Sequence, residues 1–211
     1  MTETIVYFIR HSEKIDLNLI DNTYNDEYYQ NRREKIVLSI EGEEKAKRLS
    51  EENEFQNIDT IYSSNYVRTI QTAKYMAEPK KKIINIDKRF NERNIGIVDK
   101  ERNIVIKQYF DENLKNKEGE SQKEVRDRMY KAFMNVVCNN KGKKVVVFSH
   151  GAAITFLLMK WCKLEYIKED KHKCLSFNNK IIVDKVFEQP EVFKITVGEN
   201  NEILNIENIE I

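Results

Sequence analysis

No stretch of this 211-residue chain stays apolar for anything near the roughly 20 residues that a helix needs to cross a bilayer. The first apolar run, Ile5 to Ile9, is far too short for that and lacks the flanks of a secretory leader. Net charge is also missing: 36 basic residues face 35 acidic ones. There is thus no global basic field to draw in nucleic acid and no acidic tail, and any anion site must be local. Cysteine is scarce. Cys138, Cys162 and Cys174 are an odd number with no CxxC pair, which reads as reduced thiols in a cytoplasmic protein. A zinc site from Cys162, His172 and Cys174 has no common ligand spacing. Internal repeats, low-complexity linkers and a convincing Asp/Glu metal cluster are absent too. What is present is a hydrophobic content of 40% and an aromatic content of 10%, which argue against disorder. The length suits one domain, with or without an insertion.

Ile5 to Ile9 is rich in β-branched and aromatic residues and reads as a buried strand that stops at Arg10-His11-Ser12. In open α/β proteins the carboxyl edge of the sheet is where ligands bind. Residues 15 to 37 are polar and aperiodic, with Tyr24, Tyr28, Tyr29, Arg32 and Arg33; they form either a functional loop or a solvated excursion. Ser39 is a predicted N-cap for a helix to about Leu49. Ile58 to Tyr62 is a second strand, and Ser63-Ser64-Asn65 leads into a helix from about Tyr66 to Ala77. Arg68 in its first turn opposes the helix macrodipole, which predicts an anionic partner. A third strand spans Ile83 to Ile86, residues 100 to 117 read as a highly charged helix, and Ser121 opens a long helix to about Val137. Lys144 to Phe148 is a fourth strand, ending in Ser149-His150-Gly151 before an apolar helix from Ala152 to Trp161. Beyond Lys163 the pattern is less regular, with a strand at Ile181 to Val186 and a hairpin around Gly198 to Asn201. The alternation of strands and helices predicts a parallel-type sheet covered on both faces.

Two buried strands each deliver a histidine to the sheet edge, and a third delivers Arg68 through the helix that follows it. The helix N-termini after Asn65 and Gly151 point the same way, and such ends bind phosphate. His11, His150, Arg10 and Arg68 together would form an electropositive pocket suited to a phosphoryl group. Phosphomonoesters hydrolyse extremely slowly in water, so charge must be joined by positioning and a good nucleophile. A neutral imidazole can make that attack and form a phosphohistidine.

These residues resemble the histidine phosphatase superfamily, also called phosphoglycerate mutase-like. Its R-H-G after the first strand is Arg10-His11-Ser12 here, and its L-T/S-x-x-G is Leu38-Ser39-Ile40-Glu41-Gly42. The serine-led strand end, arginine and Q-T-A are matched from Ser63 through Arg68 and Gln71-Thr72-Ala73. E-x-x-x-G is Glu92 to Gly96, G-E-S is Gly119-Glu120-Ser121, and S-H-G is Ser149-His150-Gly151. The matches follow the family's order from residue 5 to about residue 160. The resemblance implies His11 as nucleophile, and Arg10, Arg68 and His150 as phosphoryl ligands. It implies Glu92 as general acid and then base, with Glu101 or Glu120 as alternatives, and it implies no metal or other cofactor. A carboxyl in that role needs a raised pKa, which a closed apolar pocket would supply, although Arg93 stands next to it.

The implied fold is a three-layer α/β/α sandwich with a mostly parallel central sheet. It makes residues 1–211 one histidine phosphatase domain, with lid-like segments at about 15–37 and 88–120 and C-terminal edge strands. The implied partner is a small phosphorylated substrate, with no nucleic acid and no membrane. Ser12 replaces the usual glycine, and Lys14 and Leu17 stand where many members carry a threonine and a phosphate-touching asparagine. A serine hydrolase reading of Phe148 to Gly151 fails because Val147 occupies the first glycine position of a nucleophile elbow. A mutase usually carries a longer insert, so a phosphatase is favoured; a phospho-ligand-binding member without catalysis is a third reading.

Overall fold

The computed structural model describes residues 2–16, 33–97 and 104–211. Leu17, Tyr24, Tyr28, Tyr29, Arg32 and Glu101 lie outside the described residues, as does much of the first expected lid.

The apolar runs become strands because their β-branched and aromatic side chains can be buried on both faces of a sheet. β1 (Thr4–Arg10), β2 (Thr60–Ser63), β3 (Ile84–Ile86), β4 (Lys144–Ser149), β8 (Glu191–Val197) and β9 (Ile203–Ile209) form a six-stranded sheet ordered β3-β2-β4-β1-β8-β9. The β3–β2, β2–β4 and β4–β1 pairs are parallel; β8 and β9 add an antiparallel edge. The sheet is therefore mixed but mostly parallel, as expected.

Alternation along β1 and β4 builds two cores. Val6, Phe8, Val145 and Val147 face one side, packing against helix α3 (Gln122–Asn139) through Val125, Met129 and Phe133. Helix α4 (Gly151–Leu158) joins the same core through Ile154 and Leu157. Tyr7, Ile9, Val146 and Phe148 face the other side, against Leu49 of helix α1 (Ile40–Glu51) and Ala73 and Met76 of helix α2 (Val67–Ala77). Each fully buried Val, Ile or Phe side chain contributes about 1.5–3 kcal/mol, so a one-residue slip of β1 would invert both cores at once.

The helices start where their caps are. The Ser39 side chain accepts from the Gly42 N–H, and Ser121 with Glu124 forms a capping box. Two expectations are corrected. The described part of the charged stretch, 104 to 117, is not a continuous helix and holds only a 3₁₀ turn at Lys107–Tyr109. Without an apolar stripe, the segment folds instead through side-chain amides, with Gln108 donating to the Leu114 and Glu120 carbonyls. The region after Lys163 is regular after all. β5 (Lys163–Ile167), β6 (Lys173–Phe177) and β7 (Lys180–Lys185) form an antiparallel sheet that packs Leu175, Phe177 and Val183 onto the α3–α4 core. No helix among the described residues is long and apolar enough to cross a membrane.

Candidate active site

Strand register brings the histidines together. Arg10 of β1 pairs with Ser149 of β4, so the next residues, His11 and His150, leave the sheet side by side. The His11 N–H donates to the Ser149 carbonyl (3.0 Å), and the Ser64 N–H donates to the Phe148 carbonyl (3.0 Å). The imidazole centroids stand 5.3 Å apart although the residues are far apart in sequence.

The His11 Nδ1 hydrogen bonds to the Ser12 carbonyl at 2.7 Å. A carbonyl only accepts, so Nδ1 carries the proton and Nε2 keeps its lone pair. Burial, Arg68 and Arg10 push the His11 pKa well below 6.5, so the ring stays neutral. At His150, an Arg68 Nη2 hydrogen points at Nδ1 (3.0 Å), and Nε2 meets Ser64 Oγ (2.9 Å). Arginine only donates, so His150 is held neutral with its proton on Nε2; burial and Arg68 lower its pKa well below 6.5 as well.

The guanidinium of Arg10 donates to the carbonyls of Phe187 (2.6 Å) and Glu188 (3.1 Å), and that of Arg68 also donates to the Arg33 carbonyl (2.6 Å). Both are anchored by neutral carbonyls rather than by carboxylates in direct contact. Each keeps a buried Nε–H without a partner among the described residues. Burial lowers the Arg68 pKa to about 10, which marks a cation short of counter-charge. Orphaned donors of this kind are the expected lining of an anion site. Lys14 adds to the field: partial burial, then Arg68, lower its pKa, and Arg33 and Arg10 act in the same direction.

The motif residues around this cluster hold the nucleophile's loop in place. The Ser12 N–H donates to Thr72 Oγ1 (3.0 Å), and Ser12 Oγ donates to the Gly42 carbonyl (2.7 Å). The serine that replaces glycine thus fastens the loop to α1. Gln71 Oε1 takes the Leu38 N–H, and the Ser39 N–H donates to the Glu13 carbonyl. A Cβ at Gly42 would come 1.9 Å from the Glu13 carbonyl oxygen, so only glycine permits this approach.

Glu92 reaches the site from a loop. Its Oε1 accepts from the N–H groups of Arg93 (2.8 Å) and Ala153 (3.0 Å), and Oε2 lies 3.4 Å from the Ala152 nitrogen. The N-terminus of α4, expected to hold phosphate, is thus occupied by the Glu92 carboxylate. The expected raised pKa is also overturned. Burial alone would raise it, but Arg93, its N–H, Arg33 and Arg68 outweigh that and hold the carboxyl below its usual range. The pocket is cationic rather than apolar. Glu120 does not compete for the acid position, being bound to Arg128 (2.6 Å) and to the Asn94 N–H (2.9 Å).

Several contributors were not singled out from the sequence. Ser64 orients His150, the Tyr66 ring stacks edge-on to it (4.7 Å between centroids), and the Gln189 amide lies 3.4 Å from His11 Nδ1. Ser64 could have been found from its place at the end of a strand neighbouring β4; Gln189 had no such signal. Ser149 is fully buried and donates to the Phe90 carbonyl, so it is no nucleophile. Among the described residues no three His, Cys, Asp or Glu side chains are grouped to hold a metal ion, Cys162, His172 and Cys174 included.

An α/β sheet edge that presents two neutral histidines, two anchored arginines and a carboxylate defines a phosphoryl-transfer class of protein. The chain belongs to the histidine phosphatase superfamily (branch 1), whose sequence pattern matches residues 6–183. It is similar to the probable phosphoglycerate mutase GpmB of Citrobacter koseri, with 27% identity over 164 residues and 72% of each chain covered. In fold it resembles Bacillus stearothermophilus YhfR (TM-score 0.67, 20% identity, 95% and 94% of the two chains). It also resembles a mycobacterial glucosyl-3-phosphoglycerate phosphatase in complex with VO3 (TM-score 0.69, 18% identity, 98% and 99%).

Proposed function

We propose that this chain is a metal-independent phosphatase that hydrolyses a small phosphomonoester through a phosphohistidine on His11. The carrying observation is the tautomer: His11 Nδ1–H is committed to the Ser12 carbonyl, which leaves the Nε2 lone pair as the attacking atom beside the orphaned N–H groups of Arg10 and Arg68.

In the first step Nε2 attacks phosphorus, and the bond to the leaving oxygen breaks. Arg10, Arg68 and His150 balance the charge on the three equatorial oxygens, and a protonated Glu92 gives its proton to the departing alcohol. The incoming dianion offsets the cations that depress the Glu92 pKa, so substrate binding itself favours the protonated carboxyl. When the phosphate draws the Arg68 guanidinium to itself, His150 Nδ1 is free to bind a proton and donate it to a phosphoryl oxygen. In the second step Glu92 takes a proton from water, the hydroxide attacks phosphorus, and the P–N bond breaks to return neutral His11. The segment from about 88 to 120, which carries Glu92, would cover the leaving group. We read residues 1–211 as one domain built around this site.

The likeness to probable phosphoglycerate mutases favours one second reading, transfer of the phosphoryl group back to a phosphorylated acid. Turnover of p-nitrophenyl phosphate in EDTA separates the readings. Steady release of nitrophenol supports the phosphatase. Activity confined to phosphoglycerate interconversion supports the mutase, and tight phosphate binding without turnover supports a binding protein.

A further inference from the structure

The anchor of Arg10 has an anchor of its own. The guanidinium donates through Nη1 to the carbonyls of Phe187 (2.6 Å) and Glu188 (3.1 Å), both on the short segment between β7 and β8. The peptide group that offers the Phe187 carbonyl also carries the Glu188 N–H, and that N–H donates to Glu191 Oε2 at 2.6 Å. One peptide is thus gripped on both sides, by the arginine at its oxygen and by a carboxylate at its nitrogen. Residues 186–190 pair with no strand. Unlike the histidines, the Arg10 guanidinium therefore owes its place to a strap that side chains hold.

Glu191 opens β8 and stands opposite Arg10 in the antiparallel register. It is only 3% exposed. Its Oε1 accepts from Asn208 Nδ2 of β9 (2.7 Å) and pairs with Lys185 Nζ (3.2 Å). A buried carboxylate with both oxygens satisfied is a fixed point. Among the described residues no hydrogen bond joins it to Arg10 directly. A carboxylate in direct contact would fork onto the guanidinium and occupy the N–H groups that a phosphoryl group needs. Acting through a peptide, it leaves the Arg10 Nε–H unpartnered. Hydrogen bonds in such a chain polarise one another, more strongly where water is excluded. The Phe187 side chain steadies the same peptide, its ring lying 5.0 Å from that of Phe193 and 3.7 Å from Lys173 Nζ.

We infer that Glu191 is a positioning residue for phosphoryl binding: by fixing the 187–188 peptide it aims the Arg10 guanidinium at the phosphoryl oxygens. This rests on Arg10 being a phosphoryl ligand in the proposed phosphatase. The field of Glu191 reaches the guanidinium as well: burial lowers the Arg10 pKa, and Glu92 and then Glu191 oppose that shift.

The test is a double-mutant cycle of Glu191→Met and Arg10→Ala, read well below each melting temperature. The readouts are kcat/KM for p-nitrophenyl phosphate and the Kd of inorganic phosphate. Glu191→Met should lower kcat/KM about tenfold and weaken phosphate binding with it. Arg10→Ala should lower kcat/KM about 10²- to 10³-fold, and adding Glu191→Met to it should cost less than about twofold more. Losses that multiply would mean that Glu191 acts on the fold rather than through Arg10. Unchanged kcat/KM and phosphate affinity in Glu191→Met would mean that Arg10 is aimed without it. Either outcome overturns the assignment. Should Lys185 without its partner prevent folding, Glu191→Met combined with Lys185→Met removes both charges and takes the place of the single variant in the same cycle. A wild type that binds phosphate without turnover overturns the phosphatase reading, and the phosphate Kd cycle then decides the role of Glu191 by itself. A wild type that neither binds phosphate nor turns over overturns both.

Discussion

His11 and His150 leave the ends of two strands that are hydrogen-bonded in register, whereas Glu92 leaves no strand at all. On the sheet rim, backbone pairing sets position, and side chains such as Thr72 and Ser64 only trim it. On the acid side, position comes from a knot of side-chain bonds. Arg128 donates to the carbonyls of Arg89, Asn91 and Glu92 while pairing with Glu120, and Arg93 donates to Gln108. A ladder of main-chain bonds tolerates the loss of any one side chain, but a knot of this kind depends on each strand of it. Side-chain deletions around the histidines on the rim should therefore matter only where a reacting group is removed, whereas the acid side should fail when its scaffold is touched.

The largest expected effect is on the rim. His11→Ala removes the nucleophile and should lower kcat by about 10⁴-fold or more on every phosphomonoester. Because β1 keeps its pairing with β4 and β8, the melting temperature should hardly move. A variant that retains turnover within about tenfold of the wild type refutes the nucleophile assignment.

The same contrast explains what could be read from the residues. β1 and β4 are uninterrupted apolar runs ending in a histidine, so strand, edge and convergence all follow from a period-two signal and one rule about sheet edges. Helix α2 was legible because Arg68, Gln71 and Thr72 fall in a fixed motif, although their separate tasks, binding His150, Leu38 and Ser12, show only in three dimensions. The stretch after residue 100 misled because charge alternation imitates an exposed helix. Its shape instead comes from buried amides such as Gln108 and Gln122, whose partners are distant carbonyls with no sequence periodicity. The β5–β6 hairpin was missed because Lys173 and Ser176 interrupt the apolar pattern of a fully buried strand. The Glu92 pKa was misjudged for a related reason: the residues that depress it, Arg93, Arg33 and Arg68, come from three separate segments.

A smaller effect should distinguish the acid side by leaving group. Glu92→Gln should lower kcat about 10²- to 10⁴-fold on an alkyl phosphate, whose alcohol must be protonated as it leaves. The loss should be under about tenfold for formation of the phosphoenzyme from p-nitrophenyl phosphate, read as a burst, because nitrophenolate departs without a proton. The Glu92 carboxyl is held below its usual range, so once the alkyl ester is a dianion, above about pH 6, wild-type kcat/KM should fall as pH rises to about 8. The proton-dependent part of that fall should vanish in the glutamine variant. Equal losses on both esters would show that Glu92 positions the phosphoryl group rather than protonating the leaving oxygen.

The smallest effect probes the knot without touching a reacting group. Gly96 sits at φ +69°, in the left-handed region, and a Cβ there would come 2.3 Å from the Lys117 carbonyl oxygen and 2.4 Å from the Gly119 nitrogen. Around it, residues 94–97 are fastened to 116–120 by the bonds Ile97 N–H to Lys117 O, Asn116 Nδ2 to Ile95 O and Asn94 N–H to Glu120. Gly96→Ala must push these two segments apart, at a cost of about 1–3 kcal/mol, and the displacement runs back toward Glu92 only a few residues away. Turnover of an alkyl phosphate should drop about tenfold, because even a small misplacement of a catalytic group is expensive, while the p-nitrophenyl phosphate burst should stay within about twofold. Gly42→Ala is the matching change on the rim, where a Cβ meets the Glu13 carbonyl at 1.9 Å beside the nucleophile's loop. It should slow both esters by the same factor, since it displaces His11 rather than the acid. If Gly96→Ala also slows both equally, the segment from 88 to 120 holds the phosphoryl group as well as the leaving group, and the division of labour between rim and knot is wrong.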